Sequence, residues 1–175
     1  MISQERVKKL FNYNPLTGDL IRLETVCSRG KKGTIVGYLN NLGYLETRVD
    51  GKLYRNHRLI WLWVYGYLPE NCIDHINRDR LDNRLINLRE VSQSCNLRNT
   101  PNRADNLSGV KGVYWDTNRS KWHSMIRLNS KSYSIGRYKS FDDAVAARLA
   151  AEQCLGWEGC DSSSPTYLYL YVRLK

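Results

Sequence analysis

Apolar positions along the chain alternate between a helical and a strand-like spacing. Ser3-Gln4-Glu5-Arg6 lead into Val7, Leu10 and Phe11 at intervals of three and four, which predicts a capped helix of about three turns ending in Asn12–Pro15. Leu16-Thr17-Gly18-Asp19-Leu20 has turn chemistry, after which Ile21 and Leu23 alternate with Arg22 and Glu24. Ser28–Gly33 is basic and glycine-rich and reads as a loop. Thr34–Leu39 and Tyr44–Val49 are strand-like, and Asp50-Gly51 is a hairpin turn leading to Lys52-Leu53-Tyr54. This part predicts a small, twisted antiparallel sheet.

Helical spacing returns at Asn56–Gly66, where Leu59, Ile60, Trp63 and Val64 share one face and Pro69 blocks continuation. Ile73–Ile76 reads as a strand, Asn77–Arg84 as a long polar loop, and Leu85, Ile86 and Leu88 as a returning strand. Val91-Ser92 opens a second helix, with Ser92 as its cap and Cys95, Asn96 and Asn99 along it. Residues 101–108 lack periodicity and predict a linker. Three strands follow, Val110–Trp115, Lys121–Leu128 and Lys131–Gly136, with turns at Asp116–Ser120 and Asn129-Ser130. Phe141–Glu152 is a helix with acids at its N-terminus and an alanine-rich face suited to close packing on a sheet. Gly156–Ser164 is loop-like, and the aromatic alternation of Tyr167–Val172 predicts a strand able to pair with a sheet edge. The expected fold class is α+β, with units at 1–100 (core 57–100) and 109–155, a linker at 101–108 and a tail at 156–175.

The net charge of +10 is uneven: +5 over residues 1–56, +1 over 57–100 and +3 over 101–160. Basic flanks around a nearly balanced middle make nucleic acid the leading partner. The five cysteines, at 27, 72, 95, 154 and 160, include no C-x-x-C pair, so no zinc and no disulfide framework is expected and the thiols read as reduced. No apolar run approaches the ~18 residues of a membrane span, which predicts a cytoplasmic protein without membrane contact.

The candidate chemistry lies in Cys72–Asn99. Asp74 and His75 end a strand, Asn87 follows His75 by 12 residues and Asn96 follows Asn87 by 9. If the strands pair and the helix packs across them, a carboxylate, an imidazole and an amide converge, which suits metal-assisted attack on a phosphate. Arg29, Lys31 and Lys32 form a candidate phosphate-contacting loop, Arg78 and Arg89 are further candidate contacts to a polyanion, and His57 reads as structural.

His57-Arg58-Leu59, Asp74-His75, the polar loop Asp79–Asn83, Asn87-Leu88-Arg89 and Asn96 together resemble the His-Asn-His (HNH) endonucleases with the ββα-metal fold, in their phage homing-endonuclease branch. The resemblance implies a metal-dependent DNA endonuclease in which His75 is the general base, Asp74 and Asn96 hold one divalent cation, and Asn87 bonds across the loop and orients His75. The last motif position, often His in the family, is Asn96 here and still offers a hard oxygen. Mg²⁺ is the expected metal, with Mn²⁺ able to substitute; the expected partner is double-stranded DNA, the expected state a monomer or weak homodimer, and the expected location the host cytoplasm.

A second resemblance covers Gly109–Trp115, Lys121-Trp122, Ile126, Ile135-Gly136, Tyr138 and Phe141–Ala147, which look like the plant ethylene-response-type (Apetala) DNA-binding domain. That family lays its sheet in the major groove with the helix behind. Strand alternation then puts Trp122, Ser124 and Ile126 toward the helix, and His123, Met125, Arg127, Tyr114, Asp116, Ser132 and Ser134 toward DNA. Of the family's DNA-facing Arg and Trp positions only Arg127 is clearly kept, so phosphate contacts dominate the expectation, with Arg119, Lys121 and Lys131 suited to them. The rival reading is a DNA-binding regulator whose nuclease site is inactive.

Overall fold

Helix α1 (Gln4–Leu10) is capped by Ser3, whose Oγ accepts from the Arg6 amide, and it buries Val7 completely. The chain then passes directly into β1 (Phe11–Asn14), which pairs antiparallel with β2 (Asp19–Arg22). The helix was expected to continue to Asn12. It stops earlier because Phe11 and Tyr13 are both buried on the period-two face of a strand. The computed structural model describes residues 2–25, 28, 30–157 and 160–161, in two units, 1–96 and 97–175. Arg29 and the predicted strand Tyr167–Val172 lie outside the described residues.

The second sheet of the first unit has the order β3-β4-β5, with β3 at Tyr38–Leu39, β4 at Leu45–Val49 and β5 at Lys52–Arg55. The expected strand at 34–39 is thus reduced to two ladder residues. Ahead of it Ile35 makes one bridge to Ile21 instead, and Gly37 sits at φ 124°, pressed against the Asn56 side chain. The Asp50-Gly51 turn has φ values of 48° and 79°, the doubly left-handed geometry that matches strand twist in a tight hairpin.

Helix α2 (Asn56–Tyr65) ends on Gly66 in the left-handed conformation. Leu59, Ile60, Trp61 and Leu62 are buried, whereas Trp63 and Val64, expected on the same face, are half-buried. One apolar core joins Val7, Phe11, Leu20, Val49, Leu59 and Ile60 to Ile73 and Leu88. Those last two belong to β6 (Cys72–His75) and β7 (Leu88–Val91), an antiparallel pair, so the candidate site stands on strands fixed in the core. The expected strand from Leu85 is corrected: Leu85–Asn87 form a 3₁₀ turn and β7 starts at Leu88. Helix α3 (Gln93–Arg98) follows, with Ser92 Oγ accepting from the Cys95 amide at 3.2 Å as the capping pattern predicts. Cys72 is a free thiol; Cys95 is disulfide-bonded, against the expectation of reduced thiols.

In the second unit β8 (Val113–Asp116), β9 (Lys121–Leu128) and β10 (Lys131–Tyr138) form one antiparallel sheet in the order β10-β9-β8, and α4 (Phe141–Cys154) follows with Ser140 as its cap. β8 begins three residues later than expected because 110–112 form a turn, in which Ser108 Oγ bonds the Val110 and Val113 carbonyls and Gly112 takes φ 73°. Trp122 meets Phe141 of α4 edge-on, with ring centroids 4.7 Å apart. The buried Arg148 bonds Glu152 at 2.8 Å and the Met125 carbonyl at 2.6 Å, tying α4 to β9. Cys154 is a free thiol and Cys160 is disulfide-bonded. Among the described residues no helix is long and apolar enough to cross a membrane.

Leu59 is completely buried at the centre of the first unit's core. Leu59→Ala is expected to lower the unfolding free energy by about 2–5 kcal/mol, measured by urea denaturation; a loss below about 1 kcal/mol contradicts the core described above.

Candidate active site

The pairing of β6 with β7 sets Asp74 opposite Arg89 and His75 opposite Leu88. Asp74 Oδ2 accepts from Arg89 Nε at 2.9 Å and from Nη2 at 2.7 Å, in a pair whose side chains are 7% and 18% exposed. Arg89, expected as a contact to a polyanion, is therefore engaged with the carboxylate beside the imidazole.

His75 Nε2 lies 3.1 Å from Asn83 Oδ1. An amide oxygen only accepts, so with the Asn83 amide oriented this way the imidazole proton sits on Nε2 and the lone pair on Nδ1. Asn83 is 2% exposed. Its carbonyl accepts from Tyr13 Oη at 3.3 Å, and the Tyr13 hydroxyl in turn accepts from the Leu85 amide at 3.0 Å, so β1 clamps the loop from below. Asn87 holds the other side: Oδ1 accepts from the Asn77 amide at 2.9 Å and Nδ2 donates to the Asp82 carbonyl at 2.8 Å. Asn87 thus bonds across the loop, while the amide hydrogen-bonded to the His75 ring is that of Asn83, a residue the sequence does not single out. Nothing in a loop of Asn, Asp and Arg distinguishes the one buried amide; contacts from Tyr13 and Gly18, far away in the chain, fix the backbone that carries it.

His57, expected to be structural, is buried with its ring edge-on to His75, centroids 5.1 Å apart, and Tyr44 packs 5.4 Å from His57 and 5.9 Å from His75. Burial drives the His57 pKa down from 6.5 to about 3, with the charges of His75, Arg55 and Arg58 acting in the same direction. Burial also lowers His75, opposed by its bond to Asn83 and by Asp74, Asp79 and Asp82. Both rings are therefore neutral at pH 7, and a neutral imidazole can take up a proton. Beside them opens a cleft of about 430 Å³ lined by Tyr44, Arg55, His57, Arg58, Asn71 and Asn96, among others. Asn96 is half-buried on α3. Arg78 is half-buried in the loop at φ 67°. Lys31 and Lys32 are exposed in the loop before β3.

In the second unit Tyr114 Oη lies 2.7 Å from His123 Nδ1, and His123 Nε2 lies 2.8 Å from Ser134 Oγ, a chain of bonds across all three strands. His123, expected as an outward contact, is buried within that chain, and burial followed by the charge of Arg137 lowers its pKa. Asp116 holds both Arg119 and Arg137. Lys121, Arg127 and Lys131 are exposed, as is Tyr114 in part.

Residues 54–98 match the family described as HNH endonuclease. Protein 3.8 of Escherichia phage T7 is 31% identical over 82 residues, which is 46% of this chain and 68% of that protein. A solved structure of DNA binding and cleavage by the HNH homing endonuclease I-HmuI aligns over 84% of each chain at 20% identity and a TM-score of 0.38.

Because His57 is neutral when folded and has an ordinary pKa when unfolded, the unfolded chain binds more protons between pH ~6.5 and ~3. Its contribution to stability is complete above pH ~6.5 and falls by about 1.4 kcal/mol per pH unit through that window. The checks are denaturation across pH 4–7 and an NMR titration in which His57 stays unprotonated at pH 5; Asn83→Leu is expected to lower the His75 pKa further.

Proposed function

Since this chain belongs to the family of Protein 3.8 of phage T7 and carries the HNH endonuclease match at 54–98, we propose that it is a divalent-metal-dependent DNA endonuclease of the phage homing or freestanding type, hydrolysing phosphodiester bonds in the host cytoplasm. The observation that carries the reading is the neutral His75 held through Nε2 by the buried Asn83, directly after Asp74 on a core-fixed strand.

In this reading His75 Nδ1 takes the proton from the attacking water. Asn83 keeps the ring in the tautomer that has its lone pair there. Asp74, Asp79 and Asp82 favour the imidazolium that results, offsetting part of the burial cost. Asn87 acts one step back, holding the loop that presents Asn83. Asp74 and Asn96 would hold the cation; their oxygen donors suit Mg²⁺, or Mn²⁺ in its place, with phosphate oxygens and water completing the shell. When bound, the cation supplies stabilisation of the charge on the leaving 3′ oxygen. Arg89 orients the Asp74 carboxylate, as its two hydrogen bonds support.

The second unit positions the enzyme on duplex DNA. Lys121, Arg127 and Lys131 contact phosphates, with Arg119 at the β8–β9 turn and Tyr114 on the exposed face, while His123 braces Tyr114. Arg78 and the basic loop of Arg29, Lys31 and Lys32 add backbone contacts. One core cuts one strand per event, so a double cut needs a weak homodimer or two events.

The test is cleavage of a plasmid carrying the flanks of the protein's own gene. With Mg²⁺ the parent is expected to cut, His75→Ala to lose at least about 100-fold in rate, and Asn83→Ala to slow cleavage at unchanged DNA affinity. Absence of any cutting by the parent with Mg²⁺ or Mn²⁺ removes the enzyme reading. Changing Lys121, Arg127 and Lys131 together to Gln is expected to flatten the salt dependence of duplex binding by about 0.9 in log–log slope for each phosphate no longer neutralised.

A further inference from the structure

Arg55 and Arg80 come from distant parts of the chain and meet on one ring: Arg55 Cζ is 4.7 Å and Arg80 Cζ 5.0 Å from the centroid of Tyr44. The same ring packs against His57 and His75 and lines the cleft together with Arg55, so both guanidiniums share a ring with the imidazole assigned to the base. We infer that Arg55 and Arg80, seated on Tyr44, clamp a backbone phosphate of the substrate strand at the mouth of this cleft. The inference rests on the nuclease reading and adds a substrate contact to it.

Charge is the first argument. The arginines at 6, 84, 89 and 148 each pair with a carboxylate, but among the described residues neither Arg55 nor Arg80 does. Glu46 stands opposite Arg55 in the β4–β5 register and still forms no ion pair with it, and Glu70 lies elsewhere on the cleft wall. Arg58, whose guanidinium bonds the Pro69 carbonyl, lines the same cleft as Arg55. Uncompensated cations gathered beside a cleft repel one another and are relieved by an anion.

Local structure gives no competing job to Arg55. It occupies the N-cap position of α2 and makes no side-chain cap bond there, and the first turn of α2 holds no acidic residue. A cation at that end of a helix opposes the macrodipole, so its presence carries a cost that a polyanion would offset.

Pre-organisation is the third argument. A guanidinium resting on an aromatic face keeps its planar fork of donors while losing less freedom when a phosphate arrives. Arg80 is further fixed by donating Nη1 to the Leu42 carbonyl at 2.6 Å, which ties the catalytic loop to the β3–β4 turn. Planar, bidentate recognition of phosphate oxygens is what such a fork provides and what lysine, a point charge, does not.

The experiment measures binding of a fixed duplex by the full chain in a His75→Ala background as salt is varied, with circular dichroism and melting as the check on folding. Arg55→Gln and Arg80→Gln are each expected to reduce the log–log slope, and the double variant to reduce it by up to about 0.9, the value for the one phosphate the pair shares. Arg55→Lys is expected to keep the slope while weakening affinity, and Arg6→Gln, whose residue is paired with Asp50, to leave both unchanged. A folded double variant with the parental slope overturns the clamp, and so does a parent with no measurable duplex affinity. Failure of the His75-intact protein to cut DNA sinks the nuclease reading alone, since the salt slope still decides the clamp.

Discussion

The bond between Asn83 and His75 is the constraint around which the first unit is built. A surface amide would wander and leave the imidazole free to turn. Here Asn83 is sealed from water, its carbonyl takes the Tyr13 hydroxyl, and the backbone at 83–84 presses so closely on Gly18 that a Cβ there would stand 2.6 Å from the Arg84 amide nitrogen. Gly18 is at φ 83° in the β1–β2 turn, a conformation and a proximity that only glycine tolerates. A strand and a turn far earlier in the chain thus set the angle of one imidazole.

Around that ring the protein keeps charge in defined places. Two buried imidazoles in edge contact cannot both be protonated at modest cost, and burial holds both neutral. The adjacent carboxylate, Asp74, is matched by Arg89 on the facing strand. Positive charge without a carboxylate stands over the Tyr44 ring instead, on Arg55 and Arg80. The result is a pair of uncharged imidazoles near unpaired cations, an arrangement that draws in an anion without placing like charge on the rings.

Much of this is legible in the sequence, and the failures have a common cause. Periodicity and turn chemistry identify the Asp50-Gly51 hairpin, α2 with its Gly66 stop, the Ser92 cap and the three strands with α4, because these depend on residues close in the chain. Phe11 and Tyr13 read as a fading helix, and 85–87 as strand, because both outcomes are decided by the core and by bonds to far segments. The Asp74–His75 pair stands out by composition and spacing. Asn83, Tyr44 and His57 do not, since an asparagine in a polar loop, a tyrosine after a turn and a histidine at a helix start look ordinary until burial and ring contacts are known.

The Tyr13 clamp and the Gly18 contact also bear on what can be exchanged between proteins by recombination. The segment that matches the HNH endonuclease family, residues 54–98, omits Tyr13, Gly18 and Tyr44, each of which touches the loop or the rings at the site. Transplanted alone, that segment would leave behind the parts that hold its histidine in place. The contacts that hold the histidine run from Tyr13 to Asn87, so the family match covers only part of what the site stands on.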